Sequence, residues 1–160
     1  MNGYSFTEVE AVLTKAARGS GAGVADGARF AKAGALCLCA ENGADLVNAA
    51  LADLPNGVIV DHASWILRDL EEAEGDTVIF PNGDPLWVGY IDTLPYKSVE
   101  RPDGDIVVYM DIFAKPVRPS RVFITDENMT HWQALAAKTY VPETAQSRIA
   151  GAGAGLTDND

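Results

Sequence analysis

Through the first half of the chain, apolar residues recur every three or four positions, which is the spacing of one helix face. Ser5 and Glu8 have the spacing of a capping box, in which a serine and a glutamate three residues later satisfy the first amides of a helix. We therefore predict a helix after Ser5 that ends at the glycine-rich stretch GSGAG. Its predicted core face consists of Val9, Val12, Leu13, Ala16 and Ala17.

Three further helices are predicted in this half. The alanine-rich stretch from residue 24 to about residue 40 is apolar on nearly all sides, which is typical of a buried helix. A third helix is expected over residues 44–53. Residues 58–60 are β-branched and predict a strand or an extended connection, after which Asp61 caps a fourth helix that ends at Gly75.

In the second half, β-branched and aromatic runs separated by turn residues replace the helical pattern. Strands are predicted at residues 77–80, 86–92, 106–113 and 121–125. Asp126 has the position of an N-cap for a last helix, with an inner face of Met129, Trp132, Leu135 and Ala136. The order predicts a single α+β domain over residues 1–160: N-terminal helices, a mostly antiparallel sheet of about four strands, a closing helix and an extended glycine-rich C-terminal tail.

Charge restricts the expected partners. The chain has 23 acidic and 12 basic residues, a formal net charge of −11, whereas nucleic acids and anionic membranes attract basic surfaces. We therefore expect neither nucleic acid nor a membrane as a partner. The N-terminus lacks the basic and apolar regions of a signal peptide, and no run approaches the ~20 apolar residues of a membrane span, so the predicted location is cytoplasmic.

The most distinctive segment is the C-terminal GAGAGLTDND. Gly151, Gly153 and Gly155 leave backbone amides unobstructed, as in an anion-binding nest, but their spacing fits neither a dinucleotide fingerprint nor a phosphate loop. Asp158 and Asp160 are oxygen ligands of the kind that magnesium and calcium accept, yet they do not match a calcium loop, and we assign no metal ligand. The tail is interpreted as a docked functional segment, as a flexible end or, least favoured, as a cation site.

Two groups of bases are candidate partners for the tail carboxylates. The segment KPVRPSR, residues 115–121, contains Arg118 and Arg121, and the first helix carries Lys15 and Arg18. The planar fork of arginine suits carboxylate or phosphate recognition. We expect the tail to bind one of these groups within the subunit or in a neighbouring one; a solvated basic loop is the alternative.

The cysteines and histidines have structural interpretations. Residues two apart on a helix point about 200° away from each other, so Cys37 and Cys39 are not expected to pair or to share a metal ion. We interpret both as reduced packing residues of a long apolar helix. His62 and His131 are interpreted as polar surface or cap residues of helices rather than catalytic groups.

Asp92 and Asp111 interrupt otherwise apolar strand candidates. Each either lies in a pocket, where burial would raise its pKa, or faces solvent on an edge strand and opposes aggregation.

Two motifs together resemble a known family. The opening S-x-x-E-x-E-x-x-x-x-K-A-A-R-G-x-G begins at Ser5, and the closing KTYVPETAQSRIAGAGAGLTDND covers residues 138–160. Their combination resembles the uncharacterised bacterial family Domain of Unknown Function 3726, to which no activity, cofactor or partner is attached, so no catalytic role transfers. The resemblance implies that the tail and the motif residues belong to a shared site or assembly surface; these residues are Glu8, Glu10, Lys15, Arg18 and Arg148.

Two functions are compatible with these features. The first is a binding or accessory subunit whose docked tail completes an interface with a second copy or another protein. The alternative is a small cofactor-free or metal-dependent enzyme that holds a small carboxylated ligand on Arg18, Arg118 or Arg121. It would use Asp158 or Asp160 as an acid–base group or metal ligand. A concave pocket with a perturbed carboxylate would favour the enzyme, and a flat apolar surface the accessory subunit.

Overall fold

In the computed structural model, which describes residues 1–139, six helices and five strands follow one another. In chain order they are β1 (Asn2–Ser5), α1 (Phe6–Gly19), α2 (Val24–Cys37), α3 (Gly43–Ala52), α4 (Val58–Glu71), β2 (Thr77–Phe80), α5 (Pro85–Asp92), β3 (Tyr96–Glu100), β4 (Ile106–Phe113), β5 (Arg121–Ile124) and α6 (Asp126–Ala137). This order confirms the predicted α+β class.

No helix in the described range is long and apolar enough to cross a membrane. The site predictions that lie outside the described residues are those for Arg148, Gly151, Gly153, Gly155, Asp158 and Asp160.

Helix α1 begins as the capping-box pattern predicts. Ser5 Oγ accepts a hydrogen bond from the Glu8 amide at 3.2 Å, and the Glu8 carboxylate accepts one from the Ser5 amide at 2.7 Å. The side-chain and backbone hydrogen bonds to Ser5 hold the pKa of Glu8 below its ordinary value. The predicted core face is buried except for Val12, which is half-buried against the core.

Helix α2 lies at the centre of the helical layer and packs against both α1 and α5. The contact with α5 is very close, because a Cβ placed on Gly89 would lie 2.5 Å from the carbonyl oxygen of Ala33. The C-terminal half of α2 is mostly buried, as its apolar composition predicts. The helix ends at Cys37, slightly before the expected end near residue 40.

The prediction of a strand or extended connection at residues 58–60 is wrong, because these residues form the first turn of α4. The helix begins after Gly57, whose φ of 83° is accessible to glycine without strain, and Asp61 is therefore not the cap. Ile59 is fully buried. The burial of this β-branched residue in the helical core outweighs its preference for strands.

The prediction of a strand at residues 86–92 is also wrong, because these residues lie in α5. Asp84 Oδ1 accepts hydrogen bonds from the amides of Leu86 and Trp87, each at 2.9 Å. Pro85 occupies the first helical position, where its missing N–H costs nothing. Asp84 and Pro85 thus specify a helix start where the apolar run alone suggests a strand.

The strands form two small antiparallel sheets instead of one sheet of about four strands. Strand β1 pairs with β5, and β4 lies between β2 and β3. The predictions at residues 77–80 and 106–113 are confirmed, and the one at 121–125 is one residue too long. Strands β1 and β3 were not predicted. The inner face of the three-stranded sheet joins the core, as at the cross-strand pair of Val78 and Val108.

A polar contact ties α6 to α3 beneath the closing helix. Trp132 is fully buried, and its Nε1 donates to Asn48 Oδ1 at 2.7 Å. The Asn48 amide nitrogen in turn donates to Asn128 Oδ1 at 2.9 Å. The N-cap of α6 is Thr125 rather than Asp126, and the predicted inner face is otherwise confirmed, with Leu135 half-buried.

Candidate functional site

The two arginines of the predicted basic segment lie at the start of α1. The guanidinium carbon of Arg118 is 5.4 Å from the centroid of the Phe6 ring, a cation–π distance. Arg121 donates from Nη1 to the carbonyl oxygen of Gly3 at 2.8 Å. Both arginines therefore make contacts that stabilise the junction of β1 and α1.

The other two predicted bases lie farther along α1. At a rise of about 1.5 Å per residue, Arg18 is roughly 18 Å from Phe6 along the helix axis. Lys15 lines a shallow cleft between α1 and α6. The structure therefore separates Lys15 and Arg18 from the arginines of the basic segment, and the four bases do not form one site.

The cysteine prediction is correct for Cys37 and wrong for Cys39. The Cys37 thiol is buried and lies 3.7 Å from the carbonyl oxygen of Gly43, and burial raises its pKa to about 12. Cys39 is exposed, because α2 ends two residues earlier and Cys39 falls in the following turn. Partial burial still raises the pKa of the Cys39 thiol, so it is a poor nucleophile near neutral pH.

Asp92 lies at the rim of two clefts, although on a helix rather than on the predicted strand. The clefts have volumes of about 430 Å³ and 240 Å³; the first also contains Glu100, and the second contains Lys97 and Lys115. Partial desolvation raises the pKa of Asp92, while a hydrogen bond from Ser98 Oγ at 3.3 Å opposes the rise. The side chain is exposed, so solvent screening limits this effect.

Asp111 is exposed, as one of the two interpretations expects, but β4 is the central strand of its sheet, so the edge-strand part of that interpretation is wrong.

The two histidines differ in their surroundings. His131 is exposed on α6, as predicted. His62 is not a surface or cap residue, because α4 carries it into the core, where it is 8% exposed. Its Nδ1 has no hydrogen-bond partner among the described residues. A buried polar atom without a partner is unusual enough to require a physical explanation.

A groove between α2, α4 and α5 combines an apolar floor with two cations, and we call it the cationic groove. Arg29 and Lys32 lie one turn apart on α2 and supply the charge. The floor is buried, since Ala63, Ile66 and Tyr90 are each less than 5% exposed. Its remaining lining residues are Leu67, Thr93, Leu94 and Pro95.

The charges of the cationic groove are unbalanced. None of the described residues that line it is acidic, although the chain has 23 acids and 12 bases. Arg29 has a neighbour in Asp26 at 3.7 Å, and the Asp26 carboxylate, which also acts on the Tyr90 hydroxyl, offsets part of the charge of Arg29. Lys32 makes no hydrogen bond or ion pair within residues 1–139. The groove therefore presents positive charge above apolar surface.

The size and the hydroxyl groups of the groove favour a small ligand. Its volume is about 170 Å³, whereas sites for drug-sized ligands measure about 300–1,000 Å³. The Tyr90 hydroxyl donates to the carbonyl oxygen of Ile59 at 3.4 Å, a long hydrogen bond. Burial raises the pKa of Tyr90, so the hydroxyl stays neutral. The groove thus suits a short apolar ligand with one anionic end.

The sequence contains only a weak signal for this groove. Arg29 and Lys32 share one helix face by their spacing of three, within a helix that is otherwise largely alanine and apolar. Nothing in the local pattern indicates which elements face them.

No protein-family model, no curated protein and no solved structure matches this chain. The resemblance to Domain of Unknown Function 3726 accordingly stays a prediction.

Proposed function

We propose that the protein is a binding or accessory protein that takes a small carboxylated ligand in the cationic groove. The observation that carries the proposal is the pairing of Arg29 and Lys32 above a buried apolar floor without an acidic lining residue. The protein has a net charge of −11, so the charge of this surface is opposite in sign to that of the protein as a whole. The groove would bind anions through short-range contacts, because at longer distances the negative charge of the whole protein repels them.

Each part of such a ligand has a matching surface. A carboxylate can accept paired hydrogen bonds from the planar guanidinium of Arg29, with Lys32 as a second, mobile donor. The apolar body can rest on Ile66, Leu67 and Leu94, which line the groove below the cations. Burying each methylene contributes about 0.8 kcal/mol. The affinity should therefore depend both on the length of the ligand's alkyl chain and on its single negative charge.

A ligand series tests this proposal. We expect hexanoate to shift the backbone NMR signals of α2, α4 and α5 around the groove in the isotopically labelled protein. Hexan-1-ol, which keeps the chain and loses the charge, should bind about tenfold more weakly, because one charge-assisted contact is worth about 1.5 kcal/mol or more. Hexylamine should not bind there. Equal shifts from all three probes, or shifts confined to other elements, would contradict the proposal.

Asp92 favours the second candidate function, a small enzyme acting on a carboxylated metabolite. Its carboxyl has a raised pKa and shares the 240 Å³ cleft with Lys97 and Lys115. A carboxyl of raised pKa is suited to proton transfer beside an anion held by lysines. If the protein converts a carboxylated probe to a product, seen as new NMR signals, and Asp92→Asn abolishes the conversion, the protein is an enzyme. If the probe binds and is not converted, the protein is a binding protein.

The acidic tail is proposed to dock on one of the two groups of bases along α1. Support comes from the end of α6, which packs beside α1 so closely that a Cβ on Gly19 would collide with the backbone of Leu135. The last described residue is Thr139, and 21 residues follow it. Even as a flexible chain, their root-mean-square span of roughly 25 Å reaches either group.

Removal of residues 156–160 should lower the melting temperature or change the oligomer size, measured by thermal unfolding and light scattering. As a control that keeps chain length, Asp158→Asn with Asp160→Asn should reproduce the effect if charge is responsible. A truncated protein with the wild-type melting temperature and size would show that the tail does not dock.

A further inference from the structure

We propose that protonation of His62 opens the cationic groove, so that the ligand is bound near neutral pH and released in acid. This inference rests on the proposed function and concerns the regulation of the same groove.

His62 lies in an aromatic box. Its ring centroid is 5.0 Å from that of Trp87, 5.7 Å from that of Tyr90 and 5.9 Å from that of Trp65, and the first two contacts are edge-to-face. The imidazole is 8% exposed, and Nδ1 is unpaired within the described part of the chain. These surroundings accept a neutral ring and leave the charged form without a hydrogen-bond acceptor at that nitrogen.

The same box forms part of the groove wall. Ala63, the residue after His62, and Ile66, one turn later, both line the groove from α4. Tyr90 contacts the His62 ring and also belongs to the buried floor. Because Tyr90 and α4 belong to both the box and the groove, we expect movement of His62 toward water to shift them and to disrupt the groove.

The charged and titratable groups around His62 do not supply the hydrogen-bond acceptor that a protonated Nδ1 would need. Burial lowers the pKa of His62, while the Asp84 and Asp61 carboxylates partly oppose the shift. The Asp84 carboxylate accepts hydrogen bonds from two amides of α5, both through Oδ1. The Tyr90 hydroxyl and the Trp87 indole donate to the carbonyl oxygens of Ile59 and Pro81. None of these groups makes a hydrogen bond to Nδ1 of His62.

The sign of the pH effect follows from this lowered pKa. An open or unfolded form, with an ordinary histidine pKa of about 6.5, binds more protons than the closed form below that pH. The closed form is therefore fully favoured above about pH 6.5 and loses stability as the pH falls. The affinity of the groove should fall with it, by at most about tenfold per pH unit.

The test uses hexanesulfonate, whose sulfonate keeps its charge while the histidine titrates, so the ligand contributes no pH dependence of its own. Dissociation constants are measured by NMR at about pH 7.5 and about pH 5.5, the range in which histidine changes charge. We expect at least threefold weaker binding by the wild type at the lower pH. His62→Gln and His62→Phe, a polar and an aromatic replacement that cannot titrate, should bind equally at both. His131→Gln should behave as the wild type, because His131 is exposed on α6.

A second measurement needs no variant. By linkage, bound hexanesulfonate should shift the NMR titration of the His62 ring to lower pH and leave that of His131 unchanged. Binding that is equally strong at both pH values, or that weakens equally in the His62 variants, would overturn the switch alone. Absence of binding near pH 7.5 would overturn the proposed function and the switch together.

Discussion

Trp132→Ala is expected to lower the free energy of unfolding by about 3–5 kcal/mol, as large-to-small substitutions of buried aromatic residues do. Trp132 lies on the inner face of α6 and is fully buried. Its loss leaves a cavity and also removes the donor to Asn48, whose amide is bonded to Asn128. The expected result combines the loss of apolar burial with an unpaired polar group between α3 and α6. Denaturant unfolding measures it.

Trp65→Ala is the matched control, because it deletes the same side chain where 47% of the residue is exposed. We expect a loss of about 1.5–2.5 kcal/mol there, roughly half of that at Trp132, in proportion to the smaller buried area. Similar losses in the two variants would contradict the assignment of Trp132 to the core.

Gly89→Ala should destabilise the protein by about 3 kcal/mol, the upper part of the usual range for overpacking. The new Cβ would lie 2.5 Å from the carbonyl oxygen of Ala33, and backbone atoms cannot rotate away. For a chain of this length, the melting temperature should fall by roughly 6–12 °C. Because α2 and α5 both line the cationic groove, their separation should also weaken hexanoate binding.

Gly27→Ala provides the opposite expectation on α2. Its Cβ would have ordinary contacts, the nearest being 3.4 Å from the Arg18 side chain. Replacing a helical glycine by alanine then stabilises by up to about 1 kcal/mol, because the unfolded chain loses freedom. If Gly27→Ala and Gly89→Ala lowered the melting temperature equally, the close packing of α2 on α5 would be wrong.

The elements predicted correctly are those in which a local signal and tertiary burial agree. The capping box at Ser5 and Glu8 begins α1, and the β-branched and aromatic run at residues 106–113 forms the central strand β4. The strand prediction at residues 86–92 was wrong because a short apolar segment fits a strand or a buried helix equally well. The deciding signal is Asp84 followed by Pro85, which specifies a helix start.

None of the residues that line the cationic groove was predicted as a site residue, because they come from three helices. The sequence identified Asp92 as a carboxylate whose pKa can rise; burial does raise it, but Asp92 lies on α5 and in other clefts. It did not identify Arg29 and Lys32, since the groove beneath them exists only once α4 and α5 pack against α2. His62 was misjudged for a similar reason: Trp87 and Tyr90, which bury it, belong to another helix.

The proposed role of Arg29 and Lys32 in holding an anion can be measured by comparing variants that remove their charge with variants that remove charge elsewhere. The dissociation constant of hexanoate is compared among the wild type, Arg29→Gln with Lys32→Gln, and Lys97→Gln with Lys115→Gln, which removes the same charge from the 240 Å³ cleft beside Asp92. We expect affinity to fall about tenfold or more, a loss of about 1.4 kcal/mol, in the first double variant and to stay unchanged in the second. Wild-type affinity in the first double variant, or equal losses in both, would contradict it.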